Sequence, residues 1–420
     1  MRPLRWTHLF VGLWRKCMPP STSFLFSSVF LPHVPDLLRR RIAICCSFFI
    51  QGAMFATWCS RIPDIKTALN LNDATLGALL LLLPVGEFLS IIPNGFCVTR
   101  FGSKRMAILA GFLYPVLLIL LGCASSALQL AILLFFTGAI ANLSNTAVNT
   151  QGVYLEQLYQ RSIMAFFHGM WSVAGLFAVA LATLFANISI SVFAHFCILA
   201  AGAIILLCFS GGALADNTHN TTTPKRSHHA WRFTPAICWL GIACFGCMAC
   251  EGTVYNWSSV YMRDVLHALP ANQSLAYLAY LCTMVTGRFV IDLFVNRLGL
   301  FRILFICASA ITLGLFCIVG ATLLPFCTMA ITLIGFAIVG VGTSAIVPLC
   351  CGLTGRCKEI PSGIAIAEIS TIGFFGLLLA PPLTGFISKI AGLPIAFFLM
   401  ALISLPVLFA IQRLRRLLPE

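Results

Sequence analysis

Charged side chains are scarce in this chain: Asp, Glu, Lys and Arg make up 9% of its 420 residues, where soluble domains carry about 25%. A surface so poor in charge could not stay in water. Acidic residues are the scarcest, 12 against 26 basic ones, which leaves a net charge of +14. That surplus does not mark a nucleic-acid binder, because the bases come as ones, twos and threes between apolar runs and never form a basic face. A phosphate-binding G-x-x-x-x-G-K-[ST] loop is also missing, which argues against an ATP-driven pump. No nucleophile, base or metal cluster suggests an enzyme. Cysteine is plentiful at 19 residues, but it sits mostly inside the apolar runs, where a thiol behaves as a small hydrophobe. A secreted disulfide scaffold is therefore excluded. Cys244, Cys247 and Cys250 read as packing, since a buried metal site needs a fourth ligand and thiolates. No cofactor and no metal are expected.

What is present is hydrophobic, 60% of the chain. The apolar runs fall near 42–60, 75–98, 106–124, 128–152, 162–186 and 190–213, and then near 234–258, 273–295, 303–321, 323–352, 361–386 and 392–412. Each is long enough to cross about 30 Å of hydrocarbon as a helix. The expected fold is therefore all-α and membrane-integral, with twelve transmembrane helices in two six-helix bundles, 39–213 and 234–413. A polar linker, 214–233, joins them, a basic extension, 1–38, precedes them, and a tail, 414–420, follows. Basic residues set the orientation, because cytoplasmic loops are enriched in them. With both termini inside, the cytoplasmic side collects Arg39–Arg41, Arg100, Lys104, Arg105, Arg161, Lys225, Arg226, Arg232, Arg297, Arg302, Arg356, Lys358, Arg413, Arg415 and Arg416, beside Arg2, Arg5, Arg15 and Lys16. Only Arg61, Lys66, Arg263 and Lys389 fall outside. A multi-pass inner-membrane protein, acting as a monomer in the bilayer, is the expectation.

The two halves repeat one another. Gln51-Gly52 followed by Trp58-Cys59-Ser60 is echoed by Glu251-Gly252 followed by Trp257-Ser258-Ser259, and Arg100-Phe101-Gly102 with Arg105 by Arg297-Leu298-Gly299 with Arg302. Two matches in the same order imply a duplicated six-helix unit. An even number of helices per unit inserts both copies the same way, so an axis along the membrane normal relates them.

Gly95-Phe-Cys-Val-Thr-Arg100-Phe-Gly102-Ser-Lys104-Arg105 resembles the loop 2–3 signature of the major facilitator superfamily (MFS), departing at Thr99, where the family usually has Asp. Trp58-Cys-Ser-Arg61-Ile-Pro63-Asp64, Glu251-Gly252 with Asn256-Trp257-Ser258, Gly287-Arg288 with Asp292, and Gly376 with Pro381-Pro382-Leu-Thr-Gly385 are similar to the MosC/YbjJ-like branch of that superfamily. The resemblance implies the MFS fold and a secondary transporter working by alternating access. It also implies that helices 1, 4, 7 and 10 line a central cavity. Helix 4 lacks the Arg, and helix 5 lacks the Gly-Pro-x-x-Gly-Gly pattern, of the proton-coupled drug antiporters, so drug export is disfavoured.

A polar group within a bilayer helix should face the bundle interior or a wet cavity, because an ionised one costs about 2.5–3.5 kcal/mol there. Asn142, Asn145 and Asn149 share one face of helix 4. With Gln51, Trp58, Glu251 and Trp257 they are the expected solute contacts, against the alternative of interhelical hydrogen bonds. Amides suit hydroxylated solutes and tryptophan suits a sugar-like ring. Glu87 and Glu251 have no partner nearby in sequence and are the candidates to carry a coupled proton. Arg288 and Asp292, four apart on helix 8, can pair as a gating or structural latch. Arg100, Gly102, Arg105, Arg297 and Glu368 are the further gating or structural candidates. His168 reads as packed rather than as a ligand. The expected function is transport of a small polar solute, sugar-, cyclitol- or metabolite-like, with a proton. An exporter of a polar metabolite, or a non-transporting membrane receptor or biosynthesis-associated protein, is the alternative.

Overall fold

A computed structural model describes residues 36–159, 163–216, 234–324, 327–354 and 362–418. The expectations for the extension up to residue 35, for Arg161, for the linker bases Lys225, Arg226 and Arg232, and for Arg356 and Lys358 lie outside the described residues. Hydrocarbon offers backbone N–H and C=O groups no partner, so each apolar run satisfies its own backbone as a helix. Twelve helices among the described residues are long and apolar enough to span a membrane. The first six are α1 (Asp36–Ala68), α2 (Asp73–Phe101), α3 (Ser103–Gly122), α4 (Ala127–Tyr159), α5 (Met164–Asn187) and α6 (Val192–Ser210). The second six are α7 (Pro235–Asp264), α8 (Leu275–Leu298), α9 (Leu300–Ala321), α10 (Thr328–Leu353), α11 (Ser362–Ala391) and α12 (Leu393–Leu417). Large apolar side chains such as Ile92, Leu128 and Ile390 stand exposed on these helices, as a lipid-facing surface requires.

Two helices outrun the expected bounds of the bundles, 39 and 413. α1 starts at Asp36, whose carboxylate pairs with Arg40 one turn on at 2.8 Å, so residues 36–38 belong to the helix and not to an extension. α12 continues to Leu417, its last turns steadied by Arg413 over the Phe409 ring at 4.8 Å. Side-chain caps fix other starts: Asn72 accepts from Thr75 N–H before α2, Ser191 from Ala194 N–H before α6, and Thr234 from Ile237 N–H before α7.

The duplication is visible in the packing. In the first half α1 packs on α5 and α6, and α4 on α2 and α3, with α3 against α6; in the second, α7 packs on α11 and α12, and α10 on α8 and α9, with α9 against α12. Each pair maps onto its counterpart six helices later. The turns repeat as well. Gly102 (φ 90°, ψ 143°) joins α2 to α3, and Gly299 (φ 85°, ψ 151°) joins α8 to α9. Both occupy a region open essentially to glycine, which lets one helix end and the next begin within a single residue. The halves meet along α1–α7, α2–α11 and α5–α8. Cys244, Cys247 and Cys250 are buried within α7, the Cys247 thiol reaching the Thr343 carbonyl at 3.9 Å.

Helices alternate in direction, so the α2–α3 and α8–α9 turns, the start of α1 and the end of α12 share one end of the molecule. This basic end carries Arg39–Arg41, Arg100, Lys104, Arg105, Arg297, Arg302, Arg413, Arg415 and Arg416.

Candidate functional site

Between the halves lies a cavity of about 490 Å³. Its wall takes Phe48, Gln51 and Phe55 from α1, Glu87 from α2, Tyr114 from α3, Asn142 and Asn145 from α4, and His168 and Trp171 from α5. The second half adds Glu251 and Tyr255 from α7, Arg288 from α8, and Phe374 and Leu377 from α11. Away from the basic end the cavity stops at an aromatic layer. The Phe55 ring lies 5.9 Å from Trp171 and 5.6 Å, edge-on, from Tyr255, which itself packs on Tyr277 and Tyr280.

Beyond that layer the far end is closed by polar contacts between the halves. Lys66 of α1 pairs with Asp73 of α2 and with Asp264 of α7. Arg263 donates to the Pro63 carbonyl, to Thr67 and to Asp264, and Ser388 of α11 donates to Asp73. Arg61, 5% exposed, donates to His195 at 3.1 Å and to the Ile190 carbonyl at 3.2 Å, which pins α1 to α6 and the turn before it. Backbones also touch there: a Cβ on Gly77 would lie 2.7 Å from the Pro381 carbonyl oxygen, and one on Gly385 2.5 Å from that of Asp73. Toward the basic end the two halves separate. The Asp73–Leu80 part of α2 packs along α11, whereas its Leu82–Phe101 part touches α11 far less, with Phe88 and Phe374 rings 6.3 Å apart.

Of the expected solute contacts, the cavity brings together Gln51, Asn142, Asn145 and Glu251. Asn149 lies one turn past Asn145 and donates to its side-chain oxygen at 2.6 Å. Asn142 in turn accepts from Asn94 of α2 at 3.0 Å. Gln51 is 6% exposed, and its side-chain nitrogen is buried without a hydrogen-bond partner. The two tryptophans are placed elsewhere. Trp58 and Trp257 are 3% and 0% exposed and form no part of the wall. Trp58 stands seven residues beyond Gln51, about 10 Å farther along the helix and above the aromatic layer. Trp257 is six residues past Glu251, which turns it about 120° away, against Gly385.

Both proton candidates reach the wall. Glu87 makes no ion pair among the described residues. Glu251 faces Arg288 with a 3.9 Å separation of Oε1 and Nη2. Arg288 also donates to Ser172 of α5 at 3.0 Å, so it spans α5, α7 and α8 at the cavity rather than lying at the basic end beside Arg297. The side chain of Asp292 lies outside the described residues. Arg100, Arg105 and Arg297 are exposed, Gly102 is the α2–α3 turn, and Glu368 is buried at 1% exposure. His168 is exposed to the cavity, edge-on to Phe48 at 5.0 Å.

Residues that the sequence reading does not single out are the aromatic wall and the closed end. Phe48, Gln51 and Phe55 fall at spacings of three and four, and so do Glu251 and Tyr255, a periodicity that places each set on one helix face. Gln151, 1% exposed, carries no such signal; it donates to Ser103 at 2.7 Å and to the Ala215 carbonyl at 2.9 Å, tying α4 to α3 at the basic end.

The sequence profile of the Major Facilitator Superfamily matches residues 43–356. The chain belongs to that superfamily. It is 28% identical over 366 residues to an uncharacterized MFS-type transporter of Yersinia pestis, spanning 86% of this chain and 90% of the relative. To membrane protein MosC of Rhizobium meliloti it is 28% identical over 376 residues, 85% and 89% of the two chains. Among solved structures, the nucleoside transporter NupG aligns with a TM-score of 0.69 at 14% identity, covering 91% of this chain and 99% of that one. A bacterial homologue of the human lysosomal transporter Spinster, inward-facing and occupied, aligns at 0.66 and 15% identity, over 90% and 96%. This MFS chain therefore shares its fold with both, and its cavity lies where its two bundles face each other.

Proposed function

We propose that this MFS protein carries a small polar solute across the cell membrane by alternating access, with the basic end cytoplasmic and the cavity in its inward-facing state. The carrying observation is one cavity, at mid-depth between two related bundles, lined by Gln51, Asn142 and Asn145 and by the rings of Phe55 and Trp171. The amides offer hydrogen bonds, and the rings offer an apolar face to a carbon skeleton. About 490 Å³ lies in the range of small-molecule sites. Repeat bundles rocking about a fixed site would open it to the two sides in turn.

Sugar-, cyclitol- and metabolite-like solutes fit these groups, and a proton accompanies them on Glu87 or Glu251. In proteoliposomes, a panel of such solutes should include one moved by the chain, with N142L and N145L each reducing its flux at least about tenfold, as loss of one or two polar contacts implies. A chain that binds solutes without moving any would be a receptor, and this reading would be abandoned. For the proton, E87Q or E251Q should abolish uptake driven by an acid exterior while leaving solute exchange intact. Unchanged acid-driven uptake in both variants would remove proton coupling.

A further inference from the structure

The amides and the guanidinium of the cavity wall have donors to spare. The side-chain oxygens of Asn142 and Asn145 already accept from Asn94 and Asn149, at 3.0 and 2.6 Å, which leaves their NH₂ groups for the cavity. The Gln51 side-chain nitrogen is a buried donor without a partner, on a residue only 6% exposed. Arg288 repeats the pattern: its Nε is buried without a partner, and its hydrogen bond to Ser172 engages one of five N–H donors. Glu251 stands 3.9 Å from Arg288, near enough for charge attraction but too far for a hydrogen bond. The Asn142 and Asn145 oxygens are thus occupied within the protein while donors from α1, α4 and α8 are left over, and the acceptors that remain in the wall are the carboxylates of Glu87 and Glu251.

Resting on the reading of this cavity as the solute site, we propose that the solute bears a carboxylate, held by Arg288, with the Gln51, Asn142 and Asn145 amides donating to its other oxygens. A planar guanidinium fork matches a carboxylate in two parallel hydrogen bonds. An acid would complete the Nε donor and engage a second N–H of the fork in parallel, where a neutral hydroxyl offers a single oxygen. The ionisable groups around Arg288 among the described side chains are Glu251, Tyr255 and Cys247 on α7, His168 on α5 and Tyr280 on its own helix, with Glu87 across the cavity on α2. A second carboxylate at Arg288 is repelled by that of Glu251, so the solute binds best when Glu251 takes up a proton or turns away as it enters.

The test uses the purified full chain and a matched pair of probes, glucuronate and glucuronamide, alongside gluconate, glucose and myo-inositol. Thermal shift and flux in proteoliposomes are both read. The acids should bind at least about tenfold more tightly than their neutral partners, as charge-assisted recognition implies. R288Q should erase that preference while giving a cooperative melt, and Q51A should weaken the acids more than the polyols. If R288Q does not fold, R288K, which keeps the charge without the fork, should still narrow the preference. Glucuronamide binding as tightly as glucuronate, or an acid preference that survives in both Arg288 variants, overturns the carboxylate while the polar-solute reading stands. Failure of acids and neutral compounds alike to bind or move would overturn both.

Discussion

Gln51 spends stability on something other than folding. A buried amide nitrogen without a partner costs about 1–3 kcal/mol, and this one sits on a helix that otherwise buries Ile50, Ala53 and Met54. Replacing it by leucine, close in size, removes the unsatisfied donor. Q51L should therefore melt higher than the parent in detergent while losing solute binding, the opposed changes expected where a functional site is built against stability. A lower melting temperature with binding intact would mean that Gln51 serves packing. That Gln51 reaches the cavity could be read from the sequence, because its spacing and its repeat partner Glu251 both pointed inward. The approach of Glu251 to Arg288 could not. Glu251 comes from another helix and meets Arg288 only once α7 and α8 are packed. The tryptophans misled for a related reason: their residue type suits a sugar ring, but their height and angle along the helix put them in the sealed layer above the site.

At the scale of helices, the fold rests on close approaches that the sequence marks only as glycines. A Cβ on Gly138 of α4 would overlap the Leu83 carbonyl oxygen and lie 3.0 Å from the Glu87 nitrogen. The α2–α4 contact lies inside one bundle, so it persists through a rocking cycle, and any group wedged there is felt in every state. Small residues let membrane helices pack closely, and overpacking costs about 1–3 kcal/mol or more. G138A should lower the melting temperature by several degrees and, by pushing α2 outward, displace Glu87 from the cavity. G95A on α2 is the control, since nothing lies within 4 Å of its added Cβ. Equal effects of the two substitutions would show that the α2–α4 contact is not what limits stability. Helix number and the pairing of halves were legible because apolar length and an internal repeat survive in one dimension. The ends of α1 and α12 were not, because an Asp36–Arg40 pair and an Arg413–Phe409 contact extend helices past where hydropathy fades.

For the whole molecule the decisive contact is Lys66, whose side chain is 11% exposed and lies between the carboxylates of Asp73 and Asp264. It joins α1 and α2 of one half to α7 of the other, and Asp264 lies far from it in the chain, so nothing local in the sequence announced it as more than an outer-side charge. The contact with Asp264 exists only while that end is closed. Removing one partner from a poorly solvated ion pair costs about 3–5 kcal/mol, and here Asp73 loses its cation while Asp264 keeps Arg263, which puts the cost at the lower end. Here the penalty falls on the closed state alone, since opening returns Asp73 and Asp264 to water. At about 1.4 kcal/mol per factor of ten, K66M should shift the balance between inward- and outward-open states by about a hundredfold or more. The change can be read at Asn142 in a chain whose native cysteines have been replaced. N142C should react with a membrane-impermeant thiol reagent only from the basic end in the parent, and from the opposite end as well once K66M is added. K66M alone, with Asn142 intact, should also slow net transport while sparing solute binding, because the carrier would now linger on the outside. If N142C stays shielded from the opposite end in the K66M background, the Lys66 cluster does not hold the gate, and closure there belongs to the Gly77–Gly385 contact and the aromatic layer beneath it.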